Sequence, residues 1–338
     1  MSILVTGGAG YIGSHTLIEL INQGHTDIIS VDNFSNSDKL TFQRIERITG
    51  VSVKNYGIDL TDKHACEKLF KDEVIDSIIH FAAFKSVPDS VAKPLNYYHN
   101  NLASLVNLLD CCRKYNCNQF IFSSSCSVYG NAKELPVTEE TELGIPESPY
   151  AQTKFIGEQI LTDTTKADTN LKVIILRYFN PVGAHESGLN GEPPSERPNN
   201  LVPFITQTAA GLKEQLQIFG GDYNTKDGTC VRDYIHVSDI ADAHILALSY
   251  LAKMDKQLDI LNLGTGNGVT VLEVVKSFEK VNNLSLNYAI VDRREGDVEA
   301  VFANNTKAKT LLGWNPKYGL EEMMKSAWKW QLNLGKKN

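Results

Sequence analysis

The chain of 338 residues has no apolar run near the roughly 18 residues that span a bilayer, no internal repeat and no low-complexity segment. It lacks a basic excess. Its 33 lysines and arginines stand against 40 acidic residues, a net charge of −7, which argues against a nucleic-acid or membrane-surface partner. The six cysteines, Cys66, Cys111, Cys112, Cys117, Cys126 and Cys230, form no paired C-x-x-C spacing, and no histidines are placed to complete a zinc site. Reduced, buried thiols in a cytoplasmic protein are the expectation, with no metal. The opening Met1-Ser2-Ile3-Leu4-Val5 carries no basic n-region and so does not read as a signal peptide. What is present is 42% apolar content, enough for one large domain or two fused ones.

The first half alternates strands and helices. Ile3-Leu4-Val5-Thr6 reads as a buried strand, and Gly7-Gly8-Ala9-Gly10-Tyr11-Ile12-Gly13 follows it and opens an apolar helix. Glycines there bring backbone N–H groups against a pyrophosphate at a helix N-terminus. The next strand, Ile28–Val31, ends at Asp32, where a carboxylate can hydrogen-bond the ribose hydroxyls of adenosine and would repel a 2′-phosphate, so NAD is favoured over NADP. Further strands are expected at Val51–Lys54, Asp76–Ala83, Phe120–Ser125 and Val173–Tyr178. Helices are expected after Thr61 or Asp62 and after Pro94, the second with Tyr98, Leu102, Leu105, Leu109 and Cys112 on one face, widened by Leu95, Val106 and Leu108. Alternation on this scale implies an α/β fold with a parallel, doubly wound Rossmann sheet. The glycine turn, Asp32, Asp59, Ala82-Ala83, Ser125 and Tyr178 all fall at carboxyl ends of strands and should line one crevice.

Ser148-Pro149-Tyr150-Ala151-Gln152-Thr153-Lys154 is the central stretch. Ser148 is a good cap and Pro149 suits the first helical position. Tyr150 and Lys154 then lie one turn apart on one face. A phenol beside an ammonium ionises more easily, and phenolate can take a proton from an alcohol. Beyond Tyr178 the texture changes. Residues 183–200 are rich in Gly, Pro, Asn, Glu and Ser and read as a long irregular loop, of a length that is usually functional or disordered. Helices near Leu201–Ala210, Ser238–Leu251, Val271–Val281 and Leu320–Leu334 and a strand at Ile260–Asn262 suggest a smaller mixed α/β lobe. The division expected is residues 1–179 for NAD and 180–338 for the smaller lobe, with later segments free to return to the first.

The glycine turn with Tyr150-x-x-x-Lys154 resembles the extended short-chain dehydrogenase/reductase superfamily. Phe122-Ser123-Ser124-Ser125, Leu176-Arg177-Tyr178-Phe179-Asn180-Pro181-Val182-Gly183-Ala184-His185, Pro198-Asn199-Asn200-Leu201, Asp227-Gly228-Thr229, Val231-Arg232-Asp233-Tyr234-Ile235-His236-Val237 and Arg293-Arg294-Glu295-Gly296-Asp297 narrow the resemblance to its UDP-hexose 4-epimerases, over nearly the whole chain. The resemblance implies tightly held NAD and redox-neutral inversion at C4 of UDP-glucose or UDP-galactose through a 4-keto sugar. Tyr150 would be the base, Lys154 would lower its pKa and bind the nicotinamide ribose, and Ser125 would bind the reacting hydroxyl. NAD contacts would come from Gly7, Gly10, Tyr11, Ile12, Gly13, Asp32, Asn33, Asp59, Leu60, Phe81, Ala82, Ala83, Lys85, Asn100 and Phe179. The resemblance makes 180–338 the UDP-sugar-binding lobe, with contacts from Asn180, Asn200, Leu201, Phe219, Arg232, Tyr234, Arg294 and Asp297. Relatives are commonly homodimers, and a role in galactose metabolism is implied.

Ala83 and Ala151 stand where such enzymes often carry glycine, and both remain small. Val301 falls where some relatives carry a bulky tyrosine beside the sugar, which leaves room for an N-acetyl group. A simple packing role for Val301 is equally compatible with the sequence. A surface ion pair of Arg232 with Asp233, or of Arg294 with Glu295, is the plain alternative to diphosphate binding. A nucleotide-sugar 4,6-dehydratase would need an Asp-Glu pair just after the serine strand, and Ser125-Cys126-Ser127-Val128-Tyr129 has no carboxylate. An inert NAD-binding regulator should lack Ser125, Tyr150 or Lys154, and all three are here.

Overall fold

The computed structural model describes residues 1–194, 200–294 and 297–335. The expected Pro198-Asn199 and Glu295-Gly296 segments lie outside them. Six strands follow the anticipated order: β1 (Ile3–Thr6), β2 (Ile28–Val31), β3 (Lys54–Tyr56), β4 (Ser77–His80), β5 (Gln119–Ser125) and β6 (Lys172–Tyr178). With Leu258–Leu263 they make a seven-stranded sheet ordered 258–263, β6, β5, β4, β1, β2, β3, and every pairing is parallel. The order reverses between β1 and β4, which opens a crevice at the carboxyl ends.

A parallel sheet is covered on both faces, so its strands read as continuous apolar runs whose alternate residues enter different cores. Ile3, Val5, Ile79, Ile121, Ile174 and Leu176 pack on one side, with α1 (Tyr11–Asn22) and the helix Val237–Leu251. Leu4, Ile78, Phe120, Phe122, Val173 and Ile175 pack on the other, with α3 (Lys63–Asp72), α5 (Pro94–Tyr115) and α6 (Pro149–Ala167). A separate core forms around Val202, Ile205, Leu216, Ile218, Val274, Phe278 and Met324 in the second half of the chain.

The differences from the sequence reading have local causes. Gly50 takes φ 74° after α2 (Leu40–Thr49), a helix the sequence reading did not include, and Val51 is left exposed, so β3 begins at Lys54 rather than Val51. Strand β4 stops at His80, because the chain from Phe81 turns out along the crevice. The strand near Ile260 is longer than expected and lies beside β6 in the main sheet. On α5 the buried face is Tyr97, Asn101, Ser104, Leu105, Leu108, Leu109, Cys111 and Cys112, while Leu95 and Val106 face out at 79% and 43% exposure. Among the described residues no helix is long and apolar enough to cross a membrane, and no group of ligating side chains could hold a metal ion.

Candidate active site

The glycine turn is built to admit a phosphate. Gly7 has φ +71°, and a Cβ there would sit 2.8 Å from the Ala82 nitrogen. A Cβ on Gly13 would lie 2.2 Å from the Gly7 carbonyl oxygen. Only glycine permits this approach, and it leaves the N-terminus of α1 without a side-chain cap and open to an anion. Asp32 closes the end of β2. Its carboxylate accepts from Ala9 N (2.9 Å), Phe34 N (2.9 Å) and the Ser37 hydroxyl (2.7 Å), which fixes its direction. Asn33 donates to Asp59 (3.3 Å), so both side chains assigned to the adenosine end lie together. Asp59 is held below the usual carboxylate range by donors from Thr61 and Asn33, against the opposing effect of burial. Leu60 is buried behind it.

Further along, Thr6 donates to His80 Nδ1 (2.8 Å) and accepts from Ala82 N (3.3 Å), tying Phe81-Ala82-Ala83 to β1. Phe81 packs on His244 at 4.7 Å between ring centroids. Tyr11 donates to the Gly183 carbonyl (2.6 Å), and Lys85 lies 5.8 Å over its ring. Lys85 also pairs with Glu192 (2.9 Å), which accepts from Asn200 as well (2.8 Å). Asn100 donates to Asn101 (2.9 Å). Ile12 lies in the first turn of α1 and packs against the core under that helix.

The reacting centre forms where β5 meets α6. Ser148 caps α6, its hydroxyl accepting from Ala151 N (3.2 Å). Tyr150 faces Ser125, whose hydroxyl acts to lower its pKa. Lys154 alone would lead one to expect a lowered phenol pKa, but overall it is not lowered, because burial dominates. Burial pushes the Tyr150 phenol up to about 12, against the lowering effect of the Ser125 hydroxyl. Lys154 Nζ stands 6.0 Å from the Tyr150 ring centroid and 5.0 Å over Phe122, and donates to the Ser123 carbonyl (2.6 Å). Burial lowers its pKa to about 8, partly offset by Glu158. One such bond leaves two ammonium donors free for a ligand.

On the nucleotide-sugar side, Arg232 donates to the carbonyls of Val231 and Val298, both at 2.8 Å. Asp297 pairs with Arg294 (2.8 Å) and lies 3.7 Å from Arg232. The surface pairing weighed for Arg232 is absent: Asp233 is buried and accepts from Thr265, Gly266 and Ala303 instead. Glu295 lies outside the described residues. Arg294 covers Phe219 at 5.4 Å. Tyr234 is buried in this lobe's core, and Leu201 begins the helix Leu201–Ala209 against it. Asn180 starts the strand Asn180–Val182, and its Oδ1 is buried without a partner, an acceptor available to a ligand. Val301, 6% exposed, pairs in register with Arg232 and packs with Phe179, Val128 and Tyr129.

One functional cluster escaped the sequence reading. Glu158 and Arg177 form a buried ion pair (2.7 Å), and both bond onward, to Ser124 and Tyr129. The signal was present: an arginine ends the apolar run Val173-Ile174-Ile175-Leu176, and buried arginines need a counter-charge.

A parallel sheet with a glycine cradle after β1, an acid after β2 and a Ser-Tyr-Lys set at β5 and α6 defines an NAD-dependent enzyme of the short-chain dehydrogenase/reductase type. The GDP-mannose 4,6 dehydratase family model matches residues 4–327. The chain is 50% identical over 331 residues to the UDP-glucose 4-epimerase of Bacillus subtilis, covering 98% of this chain and 97% of the relative. It is 49% identical over 333 residues to that of Haemophilus influenzae, with 98% of each covered. Among solved structures, a UDP-glucose 4-epimerase from Stenotrophomonas maltophila with NAD and formylated UDP-arabinopyranose aligns at TM-score 0.97 and 43% identity, with both chains fully covered. One from Bifidobacterium longum with NAD+ and UDP aligns at 0.94 and 48%, with 98% of each covered. The chain belongs to the UDP-glucose 4-epimerase family.

Proposed function

We propose that this protein inverts the C4 hydroxyl of a UDP-hexose, interconverting UDP-glucose and UDP-galactose, with NAD retained through the cycle. The observation that supports this most is the gathering of Tyr150, Ser125 and Lys154 at the end of β5, in a chain that also carries the Arg232–Asp297–Arg294 group. The glycine cradle and the unpartnered Asn180 Oδ1 fit NAD and a nucleotide sugar respectively.

In this reading Tyr150, as phenolate, accepts the proton of the 4-hydroxyl. NAD, held by the glycine turn and Asp32, would supply a hydride acceptor and donor for C4 and a positive charge that favours phenolate. The charge of Lys154 also favours phenolate over the buried phenol. Ser125 holds the reacting oxygen and passes its proton to and from Tyr150. The 4-keto sugar turns its other face while the arginines hold the diphosphate, whose paired oxygens suit the guanidinium fork. Asp297 keeps both arginines aimed. No net oxidation results. Dehydration is disfavoured, because the turn Cys126–Tyr129 after Ser125 offers no acid and base.

The small, buried Val301 supports acceptance of UDP-N-acetylhexosamines as well. The outward Leu95, Val106 and Val91 support a homodimer through α5, in keeping with the resemblance. Six free cysteines support a reducing, cytoplasmic setting, and a place in galactose metabolism follows from the substrates. The deciding experiment is a panel of UDP-glucose, UDP-galactose and their N-acetyl forms without added NAD. Interconversion of the first two is expected. Release of NADH, or formation of a 4-keto-6-deoxy sugar, would overturn the reading.

A further inference from the structure

Three consecutive residues at the end of β5 are each engaged by a residue of α6, four positions apart. The Ser123 carbonyl accepts from Lys154 Nζ (2.6 Å), the Ser124 hydroxyl donates to Glu158 (2.5 Å), and the Ser125 hydroxyl lies beside Tyr150. Of these α6 residues, Glu158 is a charged group with no part in the chemistry above. It is 4% exposed and held by Arg177, 2% exposed, through two bonds of 3.0 and 2.7 Å. Arg177 lies on β6 directly opposite Ser124, and it also donates to the Tyr129 hydroxyl (2.9 Å), which in turn donates to Asn262 (2.7 Å) on the next strand. The network therefore grips α6, β5, the turn after Ser125, β6 and Leu258–Leu263 from one carboxylate.

We propose that Glu158 is a positioning residue for the reaction: with Arg177 it registers α6 on the serine end of β5, so that Ser125 meets Tyr150 and Lys154 keeps its charge beside them. This rests on the epimerase reading of the site. Geometry sets the first half. Ser124 is covalently next to Ser125, and Glu158 is one helical turn from Lys154, so loss of the Ser124–Glu158 bond lets the two elements slide where the reacting groups meet. A displacement on the order of 1 Å between reacting groups costs about 10²-fold in rate.

Charge sets the second half. The groups set against Lys154 are Tyr150 and Glu158 from its own helix and His80 from β4, while Arg177 on β6 is bonded to the same Glu158. Glu158 is the carboxylate among them. His80 is kept neutral by burial and by Lys154 itself. Without Glu158 the buried ammonium has no compensating negative charge and releases its proton at lower pH.

The test compares wild type, Glu158→Gln and Ser124→Ala, reading kcat and KM for UDP-galactose against pH together with the NAD content of the purified protein. Wild-type turnover tests the epimerase reading separately: its absence sinks that reading, while the variants bear only on Glu158. Glu158→Gln is expected to lower kcat by ~10- to 100-fold with KM and bound NAD kept, and to move the alkaline limb of kcat down by about one pH unit. Should Arg177, left without its counter-charge, prevent that variant from folding, Ser124→Ala decides. It keeps the ion pair and removes only the tie to β5, and a several-fold loss of kcat with unchanged KM is expected. An alkaline limb that stays in place in folded Glu158→Gln overturns the proposal. So does an unaltered kcat in Ser124→Ala.

Discussion

At the scale of the residue, Tyr150 shows how burial and charge compete. Its phenol is pushed up to about 12 by desolvation, so in the protein's own field a proton stays on it at neutral pH. Base catalysis therefore depends on positive charge arriving with NAD and on Lys154 staying protonated. Tyr150→Phe removes the proton acceptor and leaves the ring's packing in place. Turnover should fall by ~10²–10⁴-fold while UDP binding and NAD content persist. A kcat near wild type, measured with UDP-galactose, would remove Tyr150 from its assigned role. Val301 is a second single-residue case. It packs with Phe179 and Val128 and sits opposite Arg232, so a larger side chain there must project toward the sugar or displace that cluster. Val301→Tyr should cost ~1–3 kcal/mol in kcat/KM for the N-acetyl sugars and spare UDP-glucose. If wild type already fails to turn over UDP-N-acetylglucosamine, the added specificity is refused.

At the scale of the element, what was legible in the sequence was what repeats locally. The strands with long apolar runs, the glycine turn, the cap at Ser148 and the helix after Asp62 could be read because each carries its own signal. Asp62 does accept from His64 N and Ala65 N. Helix Leu40–Thr49 was not legible, because only Thr41 and Ile45 are buried along it. Nor was the place of Leu258–Leu263, since its partner β6 lies more than eighty residues earlier and nothing local says which sheet edge it joins. In the site, the residues that could be named from the sequence were those carried by motifs. The Glu158–Arg177 pair was missed because its meaning depends on a contact between α6 and β6. The tightest local element is the turn from β1 into α1, and it yields a prediction. In Gly13→Ala the new Cβ meets backbone, the Gly7 carbonyl at 2.2 Å, with no flexible side chain to give way. The turn must shift, at ~1–3 kcal/mol by analogy with overpacking, and the pyrophosphate cradle shifts with it. The purified variant should carry little NAD and regain activity only with added NAD. Full retention of NAD through purification would contradict this account of the turn.

At the scale of the whole molecule, the buried polar groups that position the site also govern its response to acid. His15, His80, His236 and His244 are all buried, and burial lowers their pKa values to about 3, 3, 4 and 4. Each has a structural partner. His15 Nδ1 bonds the Tyr11 carbonyl behind the glycine turn, His80 accepts from Thr6, His236 meets Ser326, and His244 accepts from Tyr178. A histidine ordinarily titrates near 6.5, so between about 6.5 and these lowered values the unfolded chain binds protons that the folded chain refuses. Stability from these groups is therefore present above about pH 6.5 and is lost as pH falls toward 4. Each contributes a slope of about 1.4 kcal/mol per pH unit in that window. Asp239 and Asp233 act in the opposite sense, since burial raises both, Asp239 to about 6, and the folded state takes up their protons first. Two carboxyls do not offset four imidazoles. The melting temperature should accordingly hold nearly level from pH 8 to 7 and drop steeply from pH 6 to 4, with bound NAD released over the same range, because His15 and His80 adjoin the turn and strand that hold it. Thermal melts in a buffer series read this directly, and a melting temperature that stays flat down to pH 4 would show that these histidines are not held neutral by the fold.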